Sequence, residues 1–276
     1  MEVRNMKMKL FAAAALALLL PVSAAAQLVL GHRGGRHEQD ENTLSAFQGA
    51  WSAGIHSFET DIRMSRDGKL VVSHDATLER MTTGTGVVEG MTEKELKAVV
   101  TRAGHPLLML DDLLDFFRDK PGLYVEFEMK TGGSEAYPDE VIPEYCEKAY
   151  RALKAAMPAD ADWSMTSFDY RPLRYLRAHH PEVTTALITG QPVNDETLAA
   201  ARALGVPRIA ATLDGTTRAA VAKAHKEGLK VNLWPGTKIE DTMLALLLGA
   251  DFCCTDIPIA VKRYIDEKHP ELKVRF

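Results

Sequence analysis

Short apolar segments alternate with amphipathic segments along most of the chain, and this alternation limits the possible folds more than any other feature. Regular alternation of strands and helices indicates a parallel sheet covered by helices. Three predicted helices end at glycines that lead into the next strand, Gly205, Gly228 and Gly249, as helix C-termini commonly do. Strands are predicted at 28–31, 57–64, 69–74, 123–130, 163–167, 184–189, 208–212, 230–234 and 251–255, and helices at 44–53, 143–157, 172–179, 195–204, 217–227 and 240–248.

About eight such units in roughly 250 residues match a TIM-type (β/α)8 barrel, which is the fold we predict. An open doubly wound sheet is the alternative, but its usual Gly-x-Gly-x-x-Gly motif does not follow the first strand. A long segment rich in Thr and Gly, at about 76–110, interrupts the alternation after the second strand region. Long loops in compact domains are commonly functional, so we expect residues 27–276 to form one barrel with a small cap inserted there.

The first 26 residues have the pattern of a secretory signal peptide. Arg4, Lys7 and Lys9 precede an apolar run at 10–20, and an Ala-x-Ala sequence ends at Ala26. The run is short for a membrane span, although an uncleaved anchor is the alternative. We therefore expect an exported protein, periplasmic or extracellular, without stable membrane insertion after cleavage.

The charge of the chain argues against a nucleic-acid partner. The sequence holds 33 basic and 38 acidic residues, for a formal net charge of −5. Proteins that bind nucleic acid need a surplus of basic groups to neutralise phosphates, and this chain lacks one. A small molecule is the expected partner.

Carboxylates interrupt two otherwise apolar strands. Glu59 and Asp61 lie two residues apart in the strand at 57–64, so they share one face. Glu126, Glu128 and Lys130 share one face of the strand at 123–130, opposite an apolar face that would pack on helices. Inward carboxylates from two strands suggest a site for a hard cation with oxygen ligands. A strand edge that faces water is the alternative.

Further polar residues lie where predicted strands end. His32 and Arg33 follow the first strand, and His74 ends the strand at 69–74, which we count as a fourth strand end at the site. Active sites of TIM barrels lie at the carboxyl ends of the strands. A divalent cation together with Lys, Arg and two histidines suits phosphoryl chemistry. Three carboxylates, one divalent cation, Arg33, Lys130 and a phosphodiester would also balance in charge. Unrelated surface charges are the alternative.

These residues and their order resemble the glycerophosphodiester phosphodiesterase family, which is marked by HR, ExD and HD motifs on a barrel. The resemblance covers essentially the whole chain after residue 26. It rests on His32-Arg33, Glu59-Thr60-Asp61, His74-Asp75, the ENT and AF segments at 41–43 and 46–47, DG at 67–68, LER at 78–80, TTGTG at 82–86, TEKEL at 92–96, PLLML at 106–110, EMK at 128–130, SF at 167–168, Trp234 and TDIP at 255–258.

The resemblance implies a metal-dependent phosphoric diester hydrolase. Glu59, Asp61 and Glu128 would hold a divalent cation, Ca²⁺ or Mg²⁺, and Arg33 and Lys130 would hold phosphate oxygens. The substrate would be a small-molecule phosphodiester, cleaved to glycerol 3-phosphate and an alcohol.

The resemblance also assigns the acid–base pair. His32 would act on the side of the nucleophile and His74 on the side of the leaving group. Trp234 is expected to line the glycerol pocket, with core packing as its alternative. Glu126 is expected to be an interior structural carboxylate. Asp75 would either orient its neighbour or cap a turn.

Two departures from the family pattern are visible in the sequence. Asp40 replaces the proline that usually precedes the ENT segment, and the loop at 34–40 is unusually charged. We expect both to affect the rim of the substrate site. The alternative functions are a phospholipase D-like activity on lysolipid or sphingomyelin, and a non-catalytic barrel that binds a ligand.

Overall fold

The computed structural model describes residues 27–276, so the predicted signal peptide lies outside the described residues. The strands, numbered along the chain, are β1 Gln27–His32, β2 Ser57–Met64, β3 Leu70–Val72, β4 Tyr124–Met129, β5 Asp162–Ser167, β6 Thr185–Pro192, β7 Arg208–Thr212, β8 Lys230–Gly236, β9 Phe252–Thr255 and β10 Val274–Arg275. The helices are α1 Leu44–Ser52, α2 Glu93–Leu96, α3 Leu110–Phe117, α4 Ile142–Ala156, α5 Tyr170–His179, α6 Asp195–Leu204, α7 Arg218–Lys226, α8 Ile239–Leu248 and α9 Pro258–Lys268.

Eight parallel strands form a closed barrel, which confirms the predicted fold. The order β1, β2, β4 and then β5 to β9 is closed by pairing of β9 with β1, where Leu28 lies opposite Phe252. β1 also pairs with β2, and His32 lies opposite Glu59. Each barrel strand contributes inward and outward side chains in alternation, as strands must.

β3 differs from the prediction, because it is not a parallel strand of the barrel. It pairs antiparallel with the end of β2, and Val72 lies opposite Ile62. The Asp67–Gly68 turn reverses the chain, with Gly68 at a φ of 77° that a residue without Cβ adopts readily. His74 therefore follows a hairpin that folds back on β2, and it does not end a barrel strand. It still lies at the carboxyl end of the barrel, because β3 pairs with that end of β2.

The segment between β3 and α3 forms a small folded unit on the barrel. It contains a 3₁₀ turn at Val88–Gly90 and the short helix α2, whose N-terminus carries a capping box between Thr92 and Glu95. Its own apolar cluster consists of Val71, Leu78, Val88, Leu96, Val99, Leu107 and Met109. This unit, called the cap below, lies beside the residues that end β1 and β2.

The main core lies between the strands and the surrounding helices. Val125, Phe127 and Met129 of β4 are buried there, so Glu126 and Glu128 face the barrel interior. The lower interior is filled by apolar side chains, among them Leu30, Tyr124 and Phe252, and the polar groups of β4 lie above this layer. Among residues 27–276, no helix has the length and apolar character that a membrane span requires.

Candidate active site

Three neighbouring strands bring the predicted site residues together at one mouth of the barrel. β1 ends at His32, β2 carries Glu59 and Asp61, and β4 carries Glu128 before Lys130. Asp61 lies opposite Glu128 in the parallel pairing of β2 with β4. The inward positions of adjacent strands therefore meet, as the alternation of the sequence requires.

Glu59, Asp61 and Glu128 form a compact cluster of buried carboxylates. One oxygen atom from each lies within 4.8 Å of the others. Both oxygens of Glu59 and Oδ1 of Asp61 are buried and accept no hydrogen bond from residues 27–276. Buried anions without donors are costly, and oxygen ligands in this number suit a hard divalent cation. The cluster could thus bind a divalent cation.

The protonation of the cluster follows from its burial. Burial, and then the charges of Asp61 and Glu128, raise the pKa of the Glu59 carboxyl well above its usual range. Burial likewise raises the pKa of Glu128 to about 7. Burial also opposes the ionisation of Asp61, but the charges of Arg33 and Lys130 outweigh it and hold the pKa of that carboxyl below its usual range.

Arg33 and Lys130 flank the cluster on two sides. Arg33 Nε lies 3.2 Å from Asp61 Oδ2, and Lys130 Nζ lies 2.7 Å from Glu128 Oε1 and 3.6 Å from Asp61 Oδ1. Two cationic side chains offset two of three carboxylates, so one negative charge is left if all three ionise. A divalent cation would reverse that sign and make the site attractive to a phosphodiester anion.

His32 is held between the cluster and Asp256, which follows β9. Its Nδ1 lies 2.5 Å from Asp256 Oδ1, and its Nε2 lies 3.6 Å from Glu59 Oε2. Burial lowers the pKa of His32, although the hydrogen bond with Asp256 opposes the shift. Asp256 was missed as a site residue in the sequence. The available signal was its position directly after a strand, within the TDIP segment.

His74 is held by both its side chain and its main chain. Its Nδ1 lies 2.7 Å from Asp75 Oδ1, and its carbonyl oxygen accepts hydrogen bonds from Arg63 Nη2 at 2.8 Å and Nε at 3.2 Å. Burial lowers the pKa of His74 despite the charge of Asp61. Arg63 was missed in the sequence, although it continues the face of β2 that carries Glu59 and Asp61.

Glu126 lies outside the carboxylate cluster. Its two oxygens accept hydrogen bonds from Tyr124 Oη and Asn232 Nδ2, each at 2.8 Å. Donors within the barrel thus satisfy this carboxylate, which agrees with the structural role expected for it.

A cavity of about 210 Å³ opens at this mouth and has two unlike sides. One side of the cavity is lined by polar site residues, among them His32, Glu59 and His74. The other side is an apolar wall formed by Phe168, Ile188, Ala210, Trp234, Pro235 and Cys254. Trp234 meets Phe168 edge to face, with 5.8 Å between ring centroids. A larger cavity of about 310 Å³ lies at the opposite end of the barrel, near Lys230 and Asp251, and contains none of the predicted site residues.

The charged loop at 34–40 is fixed at both of its sides. Glu38 accepts hydrogen bonds from the main-chain N–H groups of Ile259 and Ala260, near the start of α9. Asp40 Oδ2 accepts from Thr101 Oγ1 at 2.5 Å and lies 2.8 Å from His105 Nδ1 of the cap. The residue that replaces the usual proline thus joins the loop to the cap.

Comparisons with known proteins agree with this geometry. The sequence model of the Glycerophosphoryl diester phosphodiesterase family matches residues 32–260. The chain belongs to this family. The predicted resemblance is therefore confirmed, and the family is one of phosphoric diester hydrolases.

Relatives of the chain within this family align with it over different lengths. A glycerophosphodiester phosphodiesterase of Caldanaerobacter subterraneus subsp. tengcongensis is 30% identical over 168 residues, which are 58% of this chain and 66% of that protein. One from Bacillus altitudinis is 25% identical over 242 residues, 83% of this chain and 94% of that protein. The fold matches an Oleispira antarctica phosphodiesterase, solved with the product sn-glycerol-3-phosphate, with a TM-score of 0.78 at 22% identity, over 87% of this chain and 96% of that one.

We expect Ca²⁺ or Mg²⁺ to raise the melting temperature of the protein. A ligand at 100 times its Kd stabilises the folded state by about 2.7 kcal/mol. The rise should shrink as the pH falls below about 7, because binding needs ionised carboxylates and the pKa of Glu128 is about 7. Differential scanning fluorimetry after chelation, with and without added cation, measures both effects.

Glu128→Gln should lose most of this shift, since it removes an anionic ligand from the cluster. Glu126→Gln is the matched control, because it makes the same change on the same face of β4 outside the cluster. Equal cation-induced shifts in the two variants would contradict the assigned site.

Proposed function

We propose that the protein hydrolyses glycerophosphodiesters to glycerol 3-phosphate and an alcohol. The reaction would use a divalent cation, and the two histidines would act as acid and base. One observation carries the proposal: two carboxylates of the buried cluster, Arg33 and both histidines line one cavity at the carboxyl end of the barrel. Asp61 and Lys130 lie directly behind them, against Glu128. Membership of the family supports the reaction class. A barrel that only bound a ligand would have no need for this combination of acid, base and cation site.

Glu59, Asp61 and Glu128 would hold the cation, Ca²⁺ or Mg²⁺. When bound, it would supply a Lewis acid that stabilises the charge on the phosphoryl oxygens. Arg33 and Lys130 would bind phosphate oxygens and orient the diester, since both lie beside the cluster. Trp234 and Phe168 would contact the apolar edges of the glycerol part through the cavity wall.

The two histidines would move the protons. Asp256 accepts from Nδ1 of His32 and so leaves Nε2 as the basic atom directed toward Glu59 and the cavity. Its lowered pKa keeps this imidazole neutral near pH 7, as a base for the nucleophile requires. Asp75 accepts from Nδ1 of His74 in the same way, so His74 would act as the imidazolium and give the additional proton on Nε2 to the departing alkoxide. Burial disfavours this charged form, and the charge of Asp61 favours it.

Chelation should abolish turnover, and added Ca²⁺ or Mg²⁺ should restore it. Without a cation, the cluster repels a phosphodiester anion and gains protons. Phosphorus NMR on a panel of head groups measures the glycerol 3-phosphate formed and the preferred alcohol. Full turnover after exhaustive chelation, with no metal found by mass spectrometry, would refute the cation role. Cleavage confined to lysolipid or sphingomyelin would favour the phospholipase D-like alternative.

His32→Ala and His74→Ala should each lower kcat by about 10²-fold or more, because general acid–base catalysis typically contributes that much. A p-nitrophenyl leaving group needs little protonation. Only His74→Ala should therefore regain activity on a p-nitrophenyl diester, in steady-state kinetics against an alkyl diester.

His225→Ala is the matched control, since His225 also bonds to an aspartate, Asp251, but at the other end of the barrel. It should retain kcat on both substrates. If both active-site variants lost equal activity on both substrates, the division of labour between His32 and His74 would be wrong.

We also propose that the mature protein is exported and begins at Gln27. The support is the basic, apolar and Ala-x-Ala pattern of residues 1–26. The side chain of Gln27 donates hydrogen bonds to the carbonyls of Leu246 and Ala250. Cleavage before this residue would leave those contacts intact.

Mass spectrometry of the exported fraction should find Gln27 at the N-terminus. Ala26→Lys should accumulate the uncleaved precursor, because the cleavage site requires a small residue there. Soluble cytoplasmic protein that retains Met1 would contradict the export proposal.

A further inference from the structure

Arg80 of the cap lies between two carboxylates at the mouth of the active site. Its Nη2 donates to Glu41 Oε1 at 2.7 Å and its Nη1 lies 3.3 Å from Glu41 Oε2. Its Nε donates to Asp75 Oδ2. A planar guanidinium can bind two carboxylates in fixed directions, which the ammonium of lysine cannot do.

Each of these carboxylates leads to a residue of the proposed machinery. Glu41 Oε1 accepts from Arg33 Nη1 at 2.9 Å, and Asp75 Oδ1 lies 2.7 Å from His74 Nδ1. Arg33, Glu41, Arg80, Asp75 and His74 thus form one continuous chain of charged contacts. The chain leaves the barrel at Glu41, crosses the cap at Arg80 and returns to the cavity at His74.

The two ends of this chain depend on Arg80 to different degrees. Arg33 also contacts Asp61 directly, so its guanidinium keeps partners without the cap. The ion pairs of Asp75 within residues 27–276 are with His74 and Arg80, and its side chain is about one quarter exposed. Without Arg80, this carboxylate would be free to rotate toward solvent, and His74 would lose the fixed acceptor at Nδ1.

We propose that Arg80 is a positioning residue that acts on His74 through Asp75. The inference rests on the proposed function, in which His74 protonates the leaving group. The charged partners of Arg80 are Glu41 and Asp75, so we assign its guanidinium to orienting the acid rather than to binding the phosphodiester. The cap would thereby contribute to catalysis through the side chain of Arg80, which contacts Asp75 directly.

Arg80→Met tests the proposal, because it removes the guanidinium and keeps an apolar side chain. We expect kcat on an alkyl glycerophosphodiester to fall by about tenfold, the scale on which outer partners of site residues act. KM should change by less than about twofold, and kcat on the p-nitrophenyl diester should be nearly unchanged, because that leaving group needs no acid. A lost phosphate ligand would instead raise KM on both substrates.

A double-substitution cycle with Asp75→Asn separates positioning from an independent role. If Arg80 acts through Asp75, adding Arg80→Met to Asp75→Asn should change kcat by less than twofold. Multiplied losses in the double variant, or an increase in KM alone, would overturn the proposal. So would an unchanged kcat in Arg80→Met.

Arg102→Gln is the control for general loosening of the cap. It removes two hydrogen bonds from the same loop and leaves the guanidinium of Arg80 in place. It should retain kcat, and thermal melting should show that all variants fold. An equal tenfold loss in Arg102→Gln would assign the effect to cap structure and overturn the proposal. The His74→Ala variant serves separately: an undiminished kcat there would refute the acid assignment itself.

Discussion

The burial of three carboxylates at one end of the barrel is the constraint on which the site depends. Glu59, Asp61 and Glu128 have lost most of their water, and their mutual repulsion adds to the cost of ionisation. The charges of Arg33 and Lys130 offset part of this cost. Asp61 stays ionised because both of these side chains lie beside it. The remaining cost raises the pKa of Glu59 and Glu128, and a divalent cation would remove it. The candidate cation site is therefore a consequence of the register between β2 and β4.

Around this cluster, the protein repeats one arrangement at both histidines. Asp256 lies at Nδ1 of His32 and Asp75 at Nδ1 of His74, so neither aspartate occupies Nε2 of its imidazole. The two aspartates come from different parts of the chain: one follows the last barrel strand, and the other follows the β2–β3 hairpin. Closure of the barrel brings the first near β1, whereas the hairpin brings the second near β2.

The sequence predicted the barrel and the inward carboxylates because both depend on local periodicity. Two-residue spacing placed Glu59 with Asp61 on one face, and glycines marked helix ends. The same rule made Leu70–Val72 look like a barrel strand, since periodicity does not tell a hairpin strand from a parallel one. The roles of Asp256 and Arg80 were also missed, because each depends on contacts between distant positions, as between Arg80 and Glu41. Such contacts follow from the packing of the cap and the closure of the barrel, which no short segment encodes.

Two glutamates on the same face of β4 show what separates a structural carboxylate from a ligand. Glu126 and Glu128 are both buried inside the barrel, and burial raises the pKa of each. Glu126 receives neutral donors, Tyr124 and Asn232, to its two oxygens and needs no ion. Glu128 has Lys130 on one oxygen and two further carboxylates beside it, so its environment is unbalanced in charge rather than in hydrogen bonds. A bound cation corrects an imbalance of charge. A step of two residues along a strand therefore changes a carboxylate from a structural group into a candidate ligand.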